Sequence, residues 1–90
     1  MLPSHRKPSH PGEILLKEFL EPKKLSQAGI AKRLRVPIQR INTLINGKRG
    51  VTAETAIILS GELGTTPEFW MNLQSAYDLH EAKRTLKHAA

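Results

Sequence analysis

The sequence predicts an all-α domain of five helices, and three observations carry that expectation. Apolar residues recur at three- and four-residue intervals through most of the chain, and no sheet is expected. Helix punctuation is dense: Ser26, Thr52 and Thr66 stand where N-caps belong, Gly47 and Gly64 where helices close, and Pro11, Pro37 and Pro67 at helix starts. At 90 residues, with 39% hydrophobic but 4% aromatic side chains, the chain supports one domain around a modest aliphatic core.

The elements follow in order. Residues 1–9 contain Pro3, Pro8, two serines, His5 and two basic residues, and read as a disordered arm. Pro11, Gly12 and Glu13 open helix one, which is expected over 11–21 with Ile14, Leu15, Phe19 and Leu20 at helical spacing. Pro22 ends it. Ser26 caps helix two, 27–34, whose stripe is Ile30, Ala31 and Leu34. Pro37 cannot lie inside a helix but suits a start, so helix three is expected over 37–46, with Gly47 as a left-handed terminator. Thr52 caps helix four, which carries Ala56, Ile57, Leu59 and Leu63 and closes at Gly64. Thr66-Pro67-Glu68 combines a cap, an N1 proline and a first-turn acid. Helix five then runs from 67 into the eighties, with Phe69, Trp70, Leu73, Ala76, Tyr77 and His80 on one side. The expected organisation is an arm (1–9), one domain (10–86) and a frayed tail (87–90).

Charge is segregated along this chain. The formal net charge is +6. Residues 23–49 hold eight Lys and Arg and no acid, whereas residues 50–82 hold Glu54, Glu62, Glu68, Asp78 and Glu81 and no Lys or Arg. Such a division predicts a half that faces nucleic acid and a half that faces something else. The absence of cysteine excludes disulfides and thiolate zinc sites. No apolar run approaches a membrane span, and the N-terminus lacks the apolar region of a secretory signal, so a cytoplasmic location is expected. His80-Glu81 has no second His at zinc-protease spacing, His5 and His10 suit solvated or capping roles, and no glycine loop would cradle a phosphate. The expectation is a non-enzyme without cofactor, metal or small-molecule substrate.

Helices two and three are too short to persist alone and must pack as a pair, with small Ala31 at their approach. This is the helix-turn-helix arrangement, whose second helix enters the major groove of duplex DNA. At about 100° per residue, Ile41, Leu44 and Ile45 define the core side of helix three. Gln39, Thr43 and Asn46 project opposite, flanked by Asn42 and Arg40. Gln and Asn can pair with adenine, Thr can touch a thymine methyl, and Arg can take guanine or a phosphate. These five residues are the candidate base readers. Candidate phosphate contacts are Gln27 at the start of helix two, Lys32, Arg35, and Lys48 and Arg49 beyond helix three. RNA is disfavoured, because A-form RNA hides its major groove from a helix.

The segments HPGEILLKEFLEP, LSQAGIAKRLRVPIQRINTLINGKRGVT and TTPEFWMNLQSAYDLHEAKR resemble the HigA/VapI-type antidotes of toxin–antitoxin modules. Those proteins fall within the xenobiotic-response-element class of helix-turn-helix repressors. The resemblance spans residues 10–84 and implies a five-helix lambda-repressor-like domain. It also implies a cytoplasmic homodimer that represses its own operon and neutralises a small toxin, usually an mRNA-cleaving one of the RelE type, without catalytic activity of its own. The chain departs from the usual pattern at Arg35, where helix-turn-helix turns commonly carry a left-handed glycine. An arginine there costs about 1 kcal/mol and adds a charge near the DNA.

Dimers gain by reading two half-sites about one helical turn apart. Leu73, Tyr77, His80 and Trp70 on helix five are the candidate dimer surface, although the pattern favours the core for Phe69 and Trp70 and the interface for the other three. Basic RNA-binding toxins would favour an acidic contact, either on residues 54–81 or through Glu13, Glu18 and Glu21 of helix one. The alternative is a stand-alone helix-turn-helix regulator with no toxin partner.

Overall fold

The computed structural model describes residues 7–89. The expected arm therefore lies mostly outside the described residues, with Lys7, Pro8 and Ser9 leading irregularly into the first helix. Five helical elements follow. α1 runs Pro11–Ile14 and continues as a π-helical turn over Leu15–Leu20; α2 is Gln27–Leu34, α3 Ile38–Ile45, α4 Ala53–Leu63 and α5 Pro67–Ala89.

Local chemistry sets these boundaries. Ser26 Oγ accepts from Gly29 N at 2.9 Å, Thr52 Oγ1 from Thr55 N at 3.3 Å, and Thr66 Oγ1 from Phe69 N at 3.1 Å, each satisfying an otherwise orphaned helix donor. Gly64 closes α4 at φ 73°, and Gly47 follows α3 at φ 74°. Pro37 is the N-cap of α3 rather than its first helical residue, because its ψ of 145° is extended. The π turn has a consequence for packing. Leu15 and Leu20 would lie about 140° apart on an α-helix, but five-residue hydrogen bonding, as from Glu21 N to Leu16 O, stacks them on one side. Both are fully buried.

The core collects Leu15, Leu20, Ile30, Ala31, Leu34, Ile41, Leu44, Val51, Ala56, Leu59 and Trp70. It is aliphatic except at Trp70, the largest fully buried side chain. α2 packs on α3 and α4, α1 on α3 and α5, and α4 on α5. Phe19 and Phe69 close over the tryptophan, with ring centroids 5.4 and 5.0 Å from it, and Trp70 Nε1 donates to Thr65 Oγ1 at 2.7 Å. This corrects one candidate. Trp70 is 0% exposed within a single chain and cannot be a dimer contact. Two further expectations change. Ile57 is 61% exposed rather than part of the core face of α4. α5 remains helical through Ala89, past the fraying expected from Lys87.

Candidate nucleic-acid interface

α3 reaches its position through two contacts on its buried side. Ile41 and Leu44 anchor it in the core. At its C-terminal end the backbone of α1 lies directly against it: a Cβ built on Gly12 would stand 1.8 Å from Leu44 O and 2.9 Å from Ile45 Cα. His10 fixes that start of α1. Its Nδ1 accepts from Gly12 N at 2.9 Å, and its ring meets Tyr77 of α5 edge-on at 4.9 Å. An accepting Nδ1 requires the neutral imidazole with its proton on Nε2. Burial holds the His10 pKa below its ordinary value, against opposing pulls from Asp78 and Glu13.

The outward side of α3 carries the expected polar set. Gln39, Asn42 and Asn46 are exposed, and Thr43 is half-buried. Asn42 Nδ2 donates to Gln27 Oε1 and Asn46 Nδ2 to Asn42 Oδ1, each at 3.3 Å, a chain that runs from the start of α2 to the end of α3. Thr43 Oγ1 donates to Gln39 O at 2.8 Å, so its hydroxyl hydrogen is spent on its own helix. A cleft lined by Pro37, Gln39, Arg40, Thr43 and Arg49 opens on this face. The structure thus brings Arg49 together with three of the candidate readers.

Arg40 is placed differently from its neighbours. Its guanidinium is half-buried and its Nη2 donates to Glu54 Oε1 at 3.0 Å, tying α3 to the first turn of α4. Arg40 Nε is buried with no partner among the described residues. The remaining candidate phosphate contacts are open. Lys32, Arg35, Lys48 and Arg49 are exposed, and among the described residues no carboxylate pairs with them. Arg35 occupies the left-handed region at φ 59° and ψ 44°, the conformation expected at this turn. Lys48 N and Arg49 N both donate to Thr43 O, which curls the basic loop back against α3.

Two positioning groups escaped the reading of the sequence. Gln74 of α5 accepts from Val51 N at 2.7 Å and donates to Asp78 at 2.9 Å, and Gly50 lies so close to it that a Cβ would stand 3.0 Å from its amide. It clamps the segment that carries Lys48 and Arg49. Glu54 is the other. Gln74 lies inside the TTPEFWMNLQSAYDLHEAKR segment that carries the resemblance, but nothing local shows that it reaches residue 51. Of the remaining candidate dimer residues, Leu73, Tyr77 and His80 are half-buried.

A two-helix unit with a polar, cation-flanked second helix defines a helix-turn-helix protein, and residues 16–70 match the helix-turn-helix family model. The chain is 45% identical over 75 residues to virulence-associated protein I of Dichelobacter nodosus, covering 83% of this chain and 69% of that protein. It superimposes on an addiction-module antidote protein of the HigA family from Coxiella burnetii with a TM-score of 0.84 at 46% identity, covering 92% of this chain and 91% of the other. The antitoxin HigA of Pseudomonas aeruginosa, whose structure was solved with the higBA promoter, gives a TM-score of 0.83 at 39% identity, covering 92% and 95%. The chain belongs to the HigA/VapI-type antidotes within the helix-turn-helix family. Among the described residues no helix is long and apolar enough to cross a membrane.

Proposed function

We propose that this protein binds operator DNA as a homodimer through α3, represses the operon that encodes it, and neutralises an mRNA-cleaving toxin of the RelE type. The observation that carries the DNA reading is the outward face of α3: Gln39, Asn42, Thr43 and Asn46 on the helix and Lys48 and Arg49 beside it, with no acid in the sequence between Glu21 and Glu54. Gln39, Asn42 and Asn46 contact base edges, with Thr43 beside them; Gln27, Lys32, Arg35, Lys48 and Arg49 hold phosphates. Arg40 can exchange exposed Glu54 for a guanine or a phosphate. A relative of the same fold bound to its promoter supports this reading. The whole arrangement is for binding; catalysis is no part of the proposal.

The dimer is proposed through α4 and α5, where Ile57, Leu79 and Leu86 are exposed and Leu73, Tyr77 and His80 are partly covered. The toxin contact is proposed on the acidic side of α1. Glu18 and Glu21 are exposed there and pair with no cation among the described residues, while Glu13 meets Lys17 at 3.7 Å. One experiment separates the two activities. Gln39→Ala combined with Thr43→Ala should abolish the preference for operator over scrambled DNA and leave rescue of cells expressing the neighbouring-gene toxin intact. Light scattering at micromolar concentration returns a dimer mass; a monomer refutes the assembly.

A further inference from the structure

We propose that Ile38 is a specificity-determining residue that reads the C5-methyl group of a thymine in the operator, a role that rests on the DNA reading above. Ile38 is the first residue of α3 and is 45% exposed. It does not join the apolar residues packed against the core, although its helix neighbour Ile45 does. The other exposed large apolar side chains lie on α4 and α5, so Ile38 is isolated on the helix pair. It follows exposed Pro37, precedes exposed Gln39, and stands one turn before Asn42. Close to half of its surface is left open to solvent among the described residues.

Major-groove recognition supplies a compensating partner. The N-terminal residues of a recognition helix reach base edges, and thymine alone presents a methyl group there. A β-branched side chain is already restricted at χ1, so ordering it against a methyl costs little entropy. Gln39 beside it suits the adenine of an A·T pair. Thr43 reinforces this preference, since its hydroxyl hydrogen is taken by Gln39 O and its oxygen and methyl remain.

The test begins by selecting the preferred duplex from a randomised pool with the wild-type protein. Each thymine in that duplex is then replaced singly by deoxyuridine, which removes only the methyl. Wild-type affinity is expected to fall about fourfold at one position, the equivalent of one buried methyl group. Ile38→Ala should bind the thymine duplex several-fold more weakly and no longer distinguish thymine from deoxyuridine at that position. Ile38→Val, which keeps a branched apolar contact, should retain most of the discrimination and serves if the alanine variant fails to fold. Full thymine discrimination in Ile38→Ala, or wild-type affinity for the selected duplex, overturns the assignment while leaving the DNA reading standing. Unchanged duplex affinity with weakened binding to the co-purified toxin would overturn it too, and would make Ile38 a protein anchor. Failure to enrich any duplex overturns the DNA reading and this inference together.

Discussion

Replacing Gly12 by alanine should detach α1 from the recognition helix. The new Cβ would lie 1.8 Å from Leu44 O, 2.6 Å from Leu44 C and 2.9 Å from Ile45 Cα, all backbone atoms that no rotamer change can move. Restoring ordinary contact requires a shift of about 1.5 Å between α1 and α3, in an interior packed as densely as an organic crystal. Overpacking alone costs about 1–3 kcal/mol, occasionally more. If α1 yields further, Leu15 and Leu20, both essentially unexposed, begin to meet water at about 2 kcal/mol each. A loss of about 3–5 kcal/mol follows, a large part of the stability of a domain this size. At roughly 4–8 °C per kcal/mol, thermal unfolding followed by circular dichroism should fall by more than about 12 °C. Operator affinity should fall with it, because α3 loses its C-terminal support. A melting point within about 4 °C of wild type would refute the packing argument.

Other substitutions test other links. Gly61 lies inside α4 with nothing within 4 Å of a built Cβ, so Gly61→Ala should stabilise by about 1 kcal/mol, read as a higher melting temperature; a lower one would show a contact at that face. Arg35→Gly relieves about 1 kcal/mol of left-handed strain, partly offset by greater unfolded-chain entropy. Its melting point should hold or rise slightly while the salt slope of DNA binding shrinks by about 0.9 per protomer; an unchanged slope removes Arg35 from the phosphate contacts. Because the folded His10 pKa lies below its ordinary value, the unfolded chain binds more protons just below that value, and stability is lost as pH falls. Wild type should therefore lose melting temperature between about pH 7 and 5 relative to His10→Gln, and parallel curves would sink this account of the cap.

Local signals were the most legible. The caps at Ser26, Thr52 and Thr66 and the terminators Gly47 and Gly64 depend on neighbouring residues alone, so the sequence located the helix ends closely. The stripe Ile30, Ala31, Leu34 and the pair Ile41, Leu44 are buried as periodicity predicts. What depended on distance was not legible. Gln74 meets Val51 across 23 positions, and Arg40 meets Glu54 across 14. A half-buried arginine tied to a carboxylate reads in sequence like any base-contacting arginine. Trp70 fits a core or an interface by pattern alone; the rings of Phe19 and Phe69 and the hydroxyl of Thr65 decide for the core. Gly12 reads as an ordinary helix-start glycine, because its close approach to Leu44 belongs to tertiary structure.

The central claim is that α3 reads sequence, beyond the attraction of a basic surface for phosphates. Fluorescence anisotropy across a salt series tests it, using the duplex immediately upstream of the gene, a scrambled duplex, and the Gln39→Ala, Thr43→Ala double variant. Preferential, salt-sensitive binding to the upstream duplex, reduced in the variant to the level of the scrambled duplex with a similar salt slope, is the predicted result. Equal binding of wild type to both duplexes, or undiminished preference in the double variant, would contradict it.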